Sequence, residues 1–213
     1  MGRSGDPTRD GRHARSERSR DAVLGAVIAL FEAGVPKPTA RQIAAEAGVA
    51  LRTVYRHFDD LDTLFAEAVE VYRRRLELFL HPIEPSLPLA ARIEVLASQR
   101  RALWEAASPI HRAGRLVRHE QPFVAASMEQ NRRRFRAQLE QIFSQELAAA
   151  THAHPLDPDL IEQLEAATSW TTWDMLRSEQ GLDATTAERL VRRMLEGAIY
   201  SAPAVGELKL SGL

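Results

Sequence analysis

From Ala50 to Phe58 the chain reads ALRTVYRHF. Val54 and Phe58 are one helical turn apart, and Leu51, Arg52, Thr53, Tyr55, Arg56 and His57 flank or oppose the stripe they form. An arginine can pair two ways with a guanine edge, and threonine, tyrosine and histidine can donate to phosphates or bases. A short helix that buries the stripe and turns the rest outward would therefore present a surface able to read DNA. The same pattern also fits an ordinary helical hairpin with a solvated outer face.

Such a helix needs a second one to hold it. Just upstream, Thr39 precedes an apolar run and Gln42 follows three residues later, the spacing of a reciprocal capping box. Ile43, Ala44 and Ala47 share one face of the helix this box would start. Gly48 then supplies a residue that adopts a left-handed turn without strain, and the second helix begins near Ala50. Two short helices about a tight glycine turn form a helix-turn-helix, whose second helix can enter a major groove.

TARQIAAEAG, GVALRTVYRHF and DDLDTLF resemble, in order and spacing, the DNA-binding domain of the tetracycline-repressor (TetR/AcrR) family. The matching residues are Thr39, Ile43, Ala44, Ala47, Gly48, Val49, Thr53, Tyr55, His57, Phe58 and Leu64. With the preceding helix, the resemblance covers roughly sixty residues. It implies DNA contact through Thr39, Arg41, Ala50, Leu51, Arg52, Thr53, Tyr55, Arg56 and His57. For Arg41 the alternative is a surface arginine near a helix N-terminus, where the macrodipole gains nothing from a cation. Two positions depart from the family pattern. Ala50 stands where the family usually has serine, which removes a side-chain cap. Leu61, among Asp59, Asp60 and Asp62, stands where it usually has a phosphate-binding lysine.

The whole chain sets wider bounds. It has 213 residues, 45% hydrophobic and 27% charged, an ordinary soluble composition. It has no cysteine, which excludes disulfides and thiolate sites and fits a reducing cytoplasm. No apolar run is long enough for a membrane span, and no signal peptide is recognisable. The net charge is −1, but the first 58 residues carry ten basic and six acidic side chains while the remainder carry eighteen and twenty-three. A mildly basic front on an acidic body suits a DNA-binding head.

In chain order, residues 1–16 read as a disordered basic arm, and the polar stretch continues to Arg20. Its arginines Arg3, Arg9, Arg12, Arg15, Arg18 and Arg20 could follow phosphates or simply be solvated. A first helix is expected over Glu17 to Ala33, on the stripe Val23, Val27, Leu30 and Phe31. After the helix-turn-helix, a fourth helix capped by Asp59 or Asp60 is expected to run to about His81, before Pro82, Pro85 and Pro88. It would link the head to the rest of the chain, which gives a DNA-binding domain over 17–81 and a second helical domain over 82–213. Helices are expected there over 88–107, 109–119, 121–150, 157–179 and 183–201, with no strand pattern.

Two features of this body could be functional. Leu160, Leu164 and Ala167, with Leu190, Met194, Gly197 and Ala198, form apolar faces that an isolated hairpin cannot bury. They could pair two copies across a two-fold axis, as the resemblance implies, or pack within one copy. Trp104, Phe123, Met128 and Trp170, with Phe135, Trp173 and Met175 and the polar neighbours Gln99, Arg100, His111, Ser127, Thr171 and Asp174, could line a ligand pocket or be filled core.

No metal-ligand histidine pair, nucleophile elbow or phosphate loop is present, so neither a metal nor a cofactor is expected, nor catalysis. His152 and His154 read as a solvated loop. The expectation is an all-α chain: an N-terminal three-helix DNA-binding domain and a C-terminal helical ligand-binding and dimerisation domain. It would be a cytoplasmic, nucleoid-associated regulator with double-stranded DNA, a second copy of itself and a small-molecule effector as partners, and no membrane. The competing reading is an all-α scaffold, partner-binding protein or enzyme that retains the head.

Overall fold

The computed structural model describes residues 7–153 and 159–201, with the side chains of 14–150 and 159–200. All regular elements in these segments are helical: α1 (Pro7–Glu32), α2 (Ala40–Glu46), α3 (Leu51–His57), α4 (Leu61–Glu77), α5 (Leu89–Val117), α6 (Pro122–Ile142), α7 (Ser144–Ala153), α8 (Asp159–Thr168), α9 (Trp170–Asp174), a π-helical turn (Met175–Glu179) and α10 (Ala184–Ser201). No helix among the described residues is long and apolar enough to cross a membrane.

The chain forms two compact units. The first comprises the residues up to Leu78 together with Pro109–Ser127. Its core gathers Val23, Val27, Ile28 and Phe31 of α1, Ile43 and Ala44 of α2, Val54 and Phe58 at α3, and Leu64, Phe65, Ala68 and Tyr72 of α4. Burying each large aliphatic side chain contributes about 1.5–3 kcal/mol. Phe31 and Phe65 meet with ring centroids 5.7 Å apart. Ile110 and Phe123 pack against this cluster from much later in the chain. The contacts thus assign 109–127 to the head's unit, whereas the sequence reading placed everything beyond 82 in the second domain. Neither side chain carries a local mark of that destination.

The second unit comprises Phe79–Ser108 and the chain from Met128 onward. Its core is built by Ile93, Leu96 and Leu103 of α5, Leu139 and Ile142 of α6, Leu164 of α8 and a four-residue stripe on α10, Ala187, Val191, Leu195 and Ile199. Helices α8 and α10 pack on each other.

Several helix boundaries differ from expectation. Helix α1 starts at Pro7, where the missing proline N–H costs nothing, and runs through part of the expected disordered arm. Helix α4 ends at Glu77, one turn before His81. Helix α5 continues through Pro109 instead of stopping. The ring removes one hydrogen bond, but helix-favouring alanines precede it and the turns on both sides persist. The expected helix over 121–150 is interrupted at Phe143. The one over 157–179 is divided at Ser169, whose hydroxyl accepts from the Thr172 N–H and starts α9 afresh. His154 and the residues to Pro158 lie outside the described segments, as does Arg3, and the side chains of His152, Arg9 and Arg12 lie outside the described set.

Candidate nucleic-acid interface

Local hydrogen bonds position the two short helices. Thr39 Oγ1 accepts from the Gln42 N–H at 3.3 Å, and Gln42 Oε1 accepts from the Thr39 N–H at 2.8 Å, which closes the capping box of α2. At its other end Gly48 has φ +64°, its N–H donates to the Ala45 carbonyl at 3.2 Å, and the Val49 N–H donates to the Ala44 carbonyl at 3.0 Å. This paired closure reverses the chain in one left-handed residue and aims α3 away from α2. Helix α3 opens at Ala50 with no side-chain cap.

On α3, Val54 and Phe58 are buried, and the face opposite is open. Arg52 and Arg56 are exposed, Leu51 is 37% exposed and Tyr55 53%. Thr39 and Arg41 beside them, and Ala50 at the turn, are also exposed, while Thr53 and His57 are half-buried. Thr39 has its hydroxyl committed to the α2 cap. Arg41, Arg52 and Tyr55 use no side-chain polar atom within the fold among the described residues.

His57 has a different setting. Its Nε2 lies 2.7 Å from Ser19 Oγ of α1 and 3.5 Å from Arg56 Nη2. Burial, then the charges of Arg56 and Arg20, hold its pKa below the usual imidazole value. The neutral ring therefore ties the end of α3 to α1. Arg20 is likewise engaged: it bonds Glu67 of α4 and lies over the Phe58 ring at 5.0 Å. It is thus held inside the head rather than free to follow phosphates, as the sequence reading allowed. Ser19 and Glu67 were not singled out in the sequence, because both partnerships join residues far apart in the chain.

At the start of α4, Asp60 Oδ1 accepts from the Thr63 N–H at 2.6 Å, which lowers the aspartate's pKa. Leu61 is half-buried and packs against the head's core. The position that departs from the family's lysine therefore serves packing.

The comparisons with known proteins agree with this geometry. Residues 24–68 match the family model described as bacterial regulatory proteins, tetR family. The N-terminal head is a TetR-family domain. Two solved structures share the overall fold. One is a transcriptional regulator from Rhodococcus sp. Rha1, at 19% identity and a TM-score of 0.65, covering 90% of this chain and 99% of its own. The other, from Mesorhizobium loti MAFF303099, is assigned to the TetR family of transcriptional regulators, at 17% identity and a TM-score of 0.62, covering 88% of this chain and 98% of its own. No curated protein sequence matches the chain. The TetR-family head identifies a DNA-binding transcriptional regulator, and regulators of this family are transcription factors rather than enzymes.

The candidate pocket residues separate into two groups. His111, Phe123 and Ser127 belong to the first unit, and Gln99, Arg100, Trp104, Met128, Trp170, Thr171 and Asp174 to the second. Trp104 and Trp170 are buried, with Nε1 donating to the Thr168 carbonyl at 3.0 Å and to Ser108 Oγ at 3.1 Å. Thr171 is exposed, and Met128 and Asp174 are half-buried. Among the candidate dimer residues, Leu160, Leu164 and Ala167 are buried within the single chain. Met194 and Gly197 are exposed, and Leu190 and Ala198 half-buried, so any surface offered to a second copy by these residues is on α10.

Proposed function

We propose that this protein is a ligand-responsive transcriptional repressor that binds a palindromic operator as a homodimer in the cytoplasm. The observation that carries the reading is the outer face of the helix-turn-helix, where Arg41, Arg52 and Tyr55 are exposed and unused by the fold on a TetR-family head. Arg52 and Tyr55 read base edges, Arg41 anchors phosphate, and His57 orients α3 through Ser19. Two copies place their α3 helices in successive major grooves, about 34–36 Å apart. The partly open α10 residues Leu190, Met194, Gly197 and Ala198 support pairing of the second units. An effector that binds the second unit and prefers the form unable to span both half-sites releases DNA.

The test is binding to the DNA immediately upstream of the protein's own gene, against random DNA, at two salt concentrations. Specific binding that weakens steeply with salt is expected. Equal affinity for both DNAs, with no effect of Arg52→Ala, would remove the assigned surface.

A further inference from the structure

Two arginines of α5 are buried in the second unit, and they are treated differently. Arg92, 3% exposed, has an acceptor for each of its three guanidinium nitrogens. Its Nε donates to the Leu87 carbonyl at 2.9 Å, Nη1 to the Ile142 carbonyl at 2.6 Å and Glu146 Oε2 at 2.9 Å, and Nη2 to Glu146 Oε1 at 2.6 Å. Arg100 lies eight residues, about two turns, further along. It is only 1% exposed, yet it has one acceptor: Nη2 donates to Gln138 Oε1 at 2.8 Å. Its Nε and Nη1 are buried with no partner. No carboxylate among the described residues pairs with it.

The surroundings are ordered around that guanidinium. Gln138 Nε2 donates to Gln99 Oε1 at 3.3 Å, and Gln99 Nε2 donates to the His81 carbonyl at 2.7 Å, so the amide row presents an oxygen to Arg100. The guanidinium carbon is 4.8 Å from the Phe135 ring centroid, and Phe135 meets Trp104 edge-on at 5.3 Å. Burial pulls the Arg100 pKa down to about 10, which still leaves it charged at neutral pH. A buried cation without an anion is costly, and unmatched N–H groups add to the cost. Neutral acceptors, water included, could satisfy the N–H groups but not the charge.

We propose that Arg100 is the anchor for a carboxylate on the effector, with Phe135 and Trp104 receiving the apolar body of the same molecule. The proposal rests on the ligand-responsive reading above and narrows it to organic acids carrying an aryl or alkyl body.

The experiment uses the full-length protein with benzoate, indole-3-acetate and octanoate, each against its neutral amide. Binding is followed by tryptophan fluorescence and thermal shift, and operator release is measured in parallel. At least one acid should bind about 10- to 100-fold more tightly than its amide. Arg100→Met should abolish that preference while the variant stays folded and melts no lower than the parent, because an unpaired buried charge has been removed. Arg100→Lys should retain part of the preference. Equal binding of acids and amides, no acid binding at millimolar concentration, or a preference that survives Arg100→Met overturns the proposal. Arg100-dependent acid binding that leaves operator affinity unchanged would instead keep the anion site and sink the ligand-responsive reading. Release of operator by amides as effectively as by acids would do the reverse.

Discussion

Arg41 of α2 and Arg52 of α3 have the opposite circumstances to the arginines of α6. Arg136 reaches Glu162 at 3.0 Å and Glu165 at 2.6 Å on α8, and Glu140 at 3.3 Å on its own helix. Arg132 and Arg133 both engage Glu129. Their charge is closed off within the molecule. Arg41 and Arg52 are exposed, and neither has a partner among the described residues. The contrast is not between head and body as wholes, because Lys37 and Arg20 in the head are paired with Glu120 and Glu67. Nor are Arg41 and Arg52 alone in being open: Arg15 on α1, Arg75 on α4 and Arg193 on α10 are exposed and likewise have no ion pair among the described residues. What sets Arg41 and Arg52 apart is their place: two open cations on the outer side of the helix-turn-helix of a TetR-family head form a surface suited to DNA phosphates and base edges.

Breaking the contrast at Arg52 should have the largest effect. Arg52→Ala is expected to weaken operator binding by about 1–3 kcal/mol with little change in melting temperature, measured by titration of a labelled operator beside thermal unfolding. A loss of stability comparable to the loss of affinity would show that Arg52 belongs to the fold after all.

Acid sharpens the contrast, because arginines do not titrate and histidines do. Burial holds His111 at about 4, below its ordinary 6.5. Between those values the unfolded chain binds the extra proton, so stability is present above about 6.5 and is lost as pH falls towards 4. The loss should be about 2 kcal/mol between pH 7 and pH 5, read from denaturant midpoints. His111→Gln should remove most of that pH dependence; an unchanged slope would mean that the ring is not cut off from water.

A smaller effect is expected at the turn that aims α3. A Cβ on Gly48 would meet nothing within 4 Å, so Gly48→Ala suffers only from its φ of +64°. The expected cost is about 1 kcal/mol, with Gly48→Asn milder, by thermal or chemical denaturation. The smallest effect belongs to the paired side of the contrast. Arg136→Ala should leave operator affinity unchanged and shift stability by less than about 1 kcal/mol, as exposed ion pairs do. A clear affinity loss there would erase the distinction between paired and unpaired arginines.

What could be read in advance was local. The capping box at Thr39 and Gln42, the left-handed Gly48 and the Val54/Phe58 stripe each lie within a few residues, so their chemistry is visible in the order of letters. The outward face of α3 follows from them. The seating of α3 was not legible, because Ser19 meets His57 across 38 positions and Arg20 meets Glu67 across 47. The continuity of α5 through Pro109 was missed for another reason: a proline lowers local helix preference, and tertiary packing overrides it. Arg100 carried no mark of its isolation, since sequence shows a charge but not the lack of a partner.

The packing of Ile110 and Phe123 on the head's apolar cluster bears on how the protein can be dissected. Cutting the gene after His81 follows the proline-rich boundary, but it would strip a lid from the head and leave greasy surface facing water. Such a fragment should clump or melt early while its helix-turn-helix letters remain intact. The head's compact unit is discontinuous, stitched from two stretches that a single pair of primers cannot bracket without carrying the intervening segment along.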